Sequence, residues 1–162
     1  MNTPRPPIIA LATLGCKVNQ AETEVLSRRF AAAGFRLASF DAPADAYILN
    51  TCTVTHIADR KARQLLRQAR RRNPHALVVA TGCYATTDAD ALGAIPGLDL
   101  VVPNNQKAEL VALVTERRGV LSMESPTPAA AVPGGRTRAL VKVQDGCDNF
   151  CAYCIVPFAR GK

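Results

Sequence analysis

The six cysteines are the residues of this sequence best suited to chemistry, and they fall into two groups of three. The first group, here called the loop trio, lies within eight positions: Cys147, Cys151 and Cys154 in the stretch GCDNFCAYC. Such short spacing wraps one loop around one object, and thiolates are the ligands of iron–sulfur clusters. Because a cubane takes about one protein ligand per iron, three thiolates leave one iron open to a reactant. The stretch therefore predicts a cluster with a free coordination position.

The second group, here called the edge trio, is spread along the chain: Cys16, Cys52 and Cys83. Each follows an apolar run typical of a buried strand, in LATLGC, ILNTC and VATGC. In an open parallel sheet, ligands bind outside the carboxyl ends of the strands, so these thiols are expected to share one metal centre. The alternative for this trio is three separate buried thiols. A zinc site completed by an outside ligand stays open for the loop trio, and disulfides stay open for the six cysteines together.

The elements that must position these thiols alternate between strand and helix. Apolar runs predict strands over 8–14, 35–40, 46–50, 76–82 and 98–102, and the intervening periodicity predicts helices over 19–33, 58–72, 88–92 and 107–118. Asn19, with Glu22 three residues later, is similar to a capping box at a helix start. The alternation predicts an α/β fold with a doubly wound, Rossmann-like or flavodoxin-like parallel sheet over residues 1–118.

The composition changes after residue 118. Residues 119–137 are rich in Ser, Pro, Gly and Ala and predict a linker. The stretch RALVKV, residues 138–143, then predicts a strand that opens a second unit, residues 138–162, and leads into the loop trio.

Charge and hydropathy narrow the possible partners and the compartment. The net charge of +7 favours an anionic partner, and the predicted helix over 58–72 carries seven of the basic residues. That helix can contact nucleic-acid phosphates or simply present a solvated face, and both interpretations stay open. No apolar stretch reaches the ~20 residues of a membrane span, and the N-terminus lacks a signal-peptide cleavage pattern. We therefore expect a cytoplasmic protein without a membrane partner, whose cysteines are ligands rather than disulfides.

The sequence around the cysteines resembles a known family. The pattern Cys-x3-Cys-x2-Cys, with an aromatic residue before the last Cys, is similar to the signature loop of radical S-adenosylmethionine enzymes. The stretches TLGCKVNQAETE, NTCTVT, TGCY and TRALVKVQDGCDNFCAYCIVPFARGK resemble the tRNA methylthiotransferase family over essentially the whole chain. TLGCKVNQ looks most like the branch that modifies N6-threonylcarbamoyladenosine. The branches acting on isopentenyladenosine or a ribosomal-protein aspartate, and a non-enzymatic metal-binding α/β module, are the alternatives.

The resemblance implies cofactors, partners and an activity. The loop trio would bind a radical-generating 4Fe–4S cluster, the edge trio an auxiliary 4Fe–4S cluster, and Tyr153 would lie beside S-adenosyl-L-methionine. The reaction implied is transfer of a methylthio group to C2 of N6-threonylcarbamoyladenosine next to the anticodon, with tRNA and an electron donor as partners. Family members continue into a radical barrel, so residues 138–162 would be the first strand and cluster loop of a truncated barrel. These 162 residues alone are expected to be inactive.

Overall fold

The computed structural model describes residues 5–52, 56–118 and 139–162 and has a five-stranded, all-parallel sheet. The strands are β1 (Ile8–Thr13), β2 (Arg36–Ala38), β3 (Ala46–Thr51), β4 (Leu77–Gly82) and β5 (Leu100–Val102). Their order across the sheet is β2-β1-β3-β4-β5, and every neighbouring pair is parallel. This is the flavodoxin-like order, in which the winding reverses between β1 and β3 and creates a crevice at the carboxyl edge. The predicted α/β fold with a doubly wound parallel sheet is confirmed, whereas the truncated barrel stays a prediction.

Helices cover both faces of the sheet. They are α1 (Lys17–Ala32), α2 (His56–Arg72), α3 (Cys83–Thr87), α4 (Ala89–Gly93), α5 (Leu110–Arg118) and α6 (Val156–Arg160), with a 3-10 helix over Asn104–Glu109. Within the described ranges, no helix combines the length and the apolar character needed to cross a bilayer.

Alternate residues of the central strands enter two separate cores, because successive side chains of a strand point to opposite faces. Ile48 of β3 packs with Phe30 of α1 and Leu110 of α5, whereas its neighbour Leu49 packs with Leu66 of α2. All six residues of β3 and of β4 are buried, which explains why these strands read as continuous apolar runs. The sheet is therefore a rigid platform whose carboxyl edge carries the edge trio.

Two sequence predictions need correction or lie outside the described residues, and one helix was not predicted. The strand predicted over 138–143 is wrong for residues 139–143, which form no ladder, because a strand requires a neighbouring backbone and no described segment pairs with this stretch. The predicted linker, 119–137, lies outside the described residues. The short helix predicted over 88–92 is confirmed as α4, whose N-cap Asp88 accepts from Ala91 N at 3.2 Å, whereas α3 directly before it was not predicted.

Candidate functional site

The edge trio lies at the carboxyl ends of three adjacent strands. Cys52 and Cys83 directly follow β3 and β4, and Cys16 follows β1 after a two-residue turn. Because β1, β3 and β4 are neighbours in that order, the three cysteines occupy the same edge of the sheet, as the sequence predicts. Their role as metal ligands stays a prediction.

Two glycines allow the chain to bring Cys16 and Cys83 against the end of β3. Gly15 and Gly82 each precede a cysteine and have positive φ angles of 109° and 101°. A Cβ on Gly15 would lie 2.5 Å from Cys52 Cβ, and a Cβ on Gly82 would lie 2.4 Å from Thr51 O. Both loops therefore press against the segment that carries Cys52, and only glycine fits these two positions. The pairs Gly-Cys in LGC and TGC were the available sequence signal for this packing.

All six cysteines carry free thiols, so the disulfide alternative is not observed. Cys52 and Cys83 are buried and Cys16 is exposed. Burial raises the pKa of the Cys83 thiol, while the Arg160 guanidinium and a hydrogen bond from Asn104 Nδ2 to Sγ at 3.8 Å act in the opposite direction. Within the described ranges, no three His, Cys, Asp or Glu side chains converge closely enough to hold a single metal ion.

Asn19 is not the helix cap that the sequence predicts. The N-cap position of α1 is Cys16, so Asn19 lies inside the first turn, where its side chain is fully buried. Its Nδ2 donates to the carbonyls of Leu14 and Thr51, both at 2.9 Å. The prediction fails because the carbonyls of Leu14 and Thr51 are buried and need a hydrogen-bond donor, which the Asn19 amide supplies. The amides at an exposed helix start can instead be hydrogen-bonded by water. Asn19 thus ties the segments that carry Cys16 and Cys52.

Glu22 is the centre of a buried ion network rather than part of a capping box. Its carboxylate accepts from Lys107 Nζ at 2.7 Å, from Arg160 Nη1 at 2.8 Å and from Lys142 Nζ at 3.2 Å, and its side chain is 7% exposed. Burial opposes ionisation, but the hydrogen bonds from Arg160 and Lys107 prevail and lower the pKa of Glu22 to about 2. Burial lowers the pKa of Lys107, with Glu22 acting in the opposite direction, and the hydrogen bond from Arg160 is the larger of the two that lower the pKa of Glu22.

The loop trio is attached to the same edge through α6. Cys147 N donates to Gly161 O at 3.0 Å, and Cys154 N donates to Cys151 O at 2.9 Å. Cys151 is exposed, and the other two thiol residues are half-buried. Tyr153 is 95% exposed, and its predicted place beside S-adenosyl-L-methionine stays a prediction.

Asn104 connects α6 to Cys83. Its Nδ2 lies 2.7 Å from Ala159 O and 3.8 Å from Cys83 Sγ. Sequence reasoning missed this residue, together with Lys107 and Arg160, because all three reach the edge from elements distant in the chain. The charged residues in VPFARGK and NNQKAE were visible, but nothing in their spacing indicates which partner they meet.

Comparison with known proteins places these observations in a family. Residues 8–103 match the model of the family described as uncharacterized protein family UPF0004. Among solved structures, the apo receiver domain of nitrogen regulatory protein C matches with a TM-score of 0.48 and 18% identity, over 70% of this chain and 94% of that chain.

This chain aligns with curated relatives over nearly all of its own length, but it spans less than half of the length of those relatives. The chain is 41% identical to the threonylcarbamoyladenosine tRNA methylthiotransferase of Bacillus subtilis, over 94% of this chain and 36% of that protein. It is 42% identical to the protein of that name from Aquifex aeolicus, over 95% of this chain and 40% of that protein. A tRNA-2-methylthio-N(6)-dimethylallyladenosine synthase from Syntrophobacter fumaroxidans is 32% identical over 98% of this chain and 38% of that protein. The resemblance to the tRNA methylthiotransferases is confirmed, and the chain belongs to family UPF0004.

Proposed function

We propose that this chain is the N-terminal part of a tRNA methylthiotransferase that adds a methylthio group to C2 of N6-threonylcarbamoyladenosine next to the anticodon. Relatives named for that nucleoside are 41% and 42% identical, against 32% for the relative named for the dimethylallyl nucleoside. The observation that carries the proposal is the gathering of the edge trio around the end of β3, with the loop trio attached to the same edge. Because the chain spans 36–40% of these relatives, the whole reaction is assigned to a longer protein.

The donor set fits iron–sulfur clusters. The edge trio offers three free thiols just after three adjacent strands, and an iron–sulfur cube spreads its thiolate ligands over several irons rather than one point. Nearby positive charge favours thiolates, and the Arg160 guanidinium and the Lys107 ammonium both favour ionisation of Cys83. We assign an auxiliary 4Fe–4S cluster to the edge trio and a second 4Fe–4S cluster, with S-adenosyl-L-methionine, to the loop trio.

The chemistry divides between the bound groups and this chain. When bound, the clusters and S-adenosyl-L-methionine would supply the radical and the methylthio group. The residues of the chain would hold the two trios at a fixed separation and exclude water from the edge. Gly15 and Gly82 bring the segments that carry Cys16 and Cys83 against the end of β3, and the buried Asn19 pairs the carbonyls of Leu14 and Thr51. An electron donor is a required partner, and we place the protein in the cytoplasm, where it would meet tRNA.

Helix α2 provides a surface suited to tRNA phosphates. Three of its arginines, here called the basic stripe, are exposed: Arg60, Arg67 and Arg71. They lie seven and then four residues apart, which places them along one face of the helix. By contrast, Arg70 donates to Gly97 O at 3.0 Å and Arg72 to Asp41 at 2.8 Å, so those two residues serve the fold. We assign the basic stripe to the backbone of tRNA, whose recognition depends on charge rather than on base sequence.

Anaerobic reconstitution with iron and sulfide tests the proposal on this chain. We expect iron and acid-labile sulfide equivalent to two 4Fe–4S clusters, with a visible absorption typical of thiolate-bound clusters. Cys52→Ser should remove one cluster and Cys151→Ser the other, so that each variant is the matched control for the other. Stoichiometric zinc without sulfide, or an unchanged iron content after Cys52→Ser, would contradict the assignment.

A further inference from the structure

A buried polar bridge connects the two cysteine trios, and Arg160 is its centre. The Arg160 side chain is 8% exposed although it lies in the last turn of α6, next to the end of the chain. One nitrogen of its guanidinium, Nη1, donates at 2.8 Å to both Glu22 Oε1 and Asp145 Oδ1. The other, Nη2, donates to Asn19 Oδ1. Arg160 thus contacts α1 and the segment that leads into the loop trio.

On the sheet side, the bridge ends at the strands that carry the edge trio. Asn19 accepts from Arg160 with its oxygen and donates with its nitrogen to Leu14 O and Thr51 O, each at 2.9 Å. Leu14 follows β1 and precedes the turn to Cys16, and Thr51 directly precedes Cys52. A displacement of Arg160 would therefore disturb the Asn19 amide and, through it, the segments that lead to Cys16 and Cys52.

On the loop side, the bridge continues through the backbone of α6. Gly161, the residue after Arg160, accepts from Cys147 N at 3.0 Å. Gly146 has a φ of 76°, and a Cβ there would lie 2.3 Å from Gly161 O, so the backbones meet too closely for a side chain. Arg160 thus holds, through one residue, the start of the loop trio.

Arginine suits this position for physical reasons. Its planar guanidinium presents five N–H donors in a fixed fork, so one side chain can satisfy Glu22, Asp145 and Asn19 together, whereas lysine provides a single nitrogen. The group is permanently charged, and a buried charge is tolerated only with good partners, so the bridge has one favourable arrangement.

We propose that Arg160 is a positioning residue that fixes the loop trio relative to the edge trio. Its contacts with Asn19 and Glu22 fix the position of α6 relative to the carboxyl edge. They thereby fix the start of the loop at Cys147. The catalytic meaning of this separation rests on the proposed function. The bridge itself is tested on the chain without clusters, so that a failure of one claim is distinguishable from a failure of the other.

Hydrogen exchange measured by mass spectrometry tests the bridge in the metal-free chain. In Arg160→Met, the backbone amides of Cys147, Ala159 and Gly161 should exchange faster by on the order of tenfold, while amides of β3 and β4 keep their wild-type rates. Arg160→Lys should give an intermediate rate, since it keeps the charge but loses the fork. Arg28→Met, which removes an exposed arginine of α1, is the matched control and should change neither set of amides.

Wild-type exchange at the three loop-side amides in Arg160→Met would overturn the proposal. Equal acceleration of the β3 and β4 amides would also overturn it, because Arg160 would then only stabilise the fold as a whole. If Arg160→Met does not fold, the same comparison is made with Arg160→Lys.

Discussion

Replacing Glu22 by Gln should destabilise the chain at neutral pH and change how its stability depends on pH. The carboxyl has a pKa of about 2 in the folded chain and 4.5 as its ordinary value. A group with a depressed folded pKa stabilises the fold above its unfolded pKa, and that stability is lost as the pH falls through the folded pKa. This difference in pKa contributes about 3 kcal/mol to the free energy of unfolding at pH 7 and only about 1.4 kcal/mol at pH 3.

The assay is urea unfolding followed by circular dichroism at both pH values. Glu22→Gln should lower the free energy of unfolding by about 3 kcal/mol at pH 7, because Arg160, Lys107 and Lys142 would lose their shared carboxylate. The difference in the free energy of unfolding between the variant and the wild type should be less than half as large at pH 3 as at pH 7. Glu116→Gln, at an exposed position of α5, is the control and should change stability by no more than ~0.5 kcal/mol. A gap below ~1 kcal/mol at pH 7, or one independent of pH, would refute the reasoning.

Two further predictions concern the backbone and the basic stripe. Gly82→Ala should destabilise the chain by ~3 kcal/mol or more in urea unfolding, because its Cβ would meet Thr51 O at 2.4 Å in a positive-φ conformation. Gly93→Ala, where a Cβ meets nothing within 4 Å, is the control and should stabilise the chain slightly; equal effects would contradict the packing. Replacing the basic stripe with Gln should reduce the slope of log affinity for a tRNA anticodon stem-loop against log salt by ~2–3, as measured by fluorescence anisotropy. The matched control replaces three exposed arginines outside α2: Arg28, Arg36 and Arg117. A slope that falls equally in both triple variants would show that only net charge matters.

The candidate site was partly readable from the sequence because its ligands are chemically distinctive. Cysteines at the ends of apolar runs predicted the edge trio, and the rule that parallel strands end at one edge predicted their neighbourhood. Asn19 was misassigned because a helix start preceded by a turn offers the same local pattern whether the side chain caps the helix or faces the core. The decision depends on the carbonyls of Leu14 and Thr51, of which Thr51 belongs to a different strand.

The sequence by itself determined the alternation of strands and helices, the parallel sheet and the two cysteine trios, because these depend on local periodicity and on residue type. Only the tertiary structure decided that Glu22, Lys107 and Arg160 meet, since their contacts span 85 to 138 residues of chain. It also decided that residues 139–143 are not a strand, because a ladder needs a partner that the stretch itself cannot supply. Local patterns specify elements, whereas burial decides which distant charges must find one another.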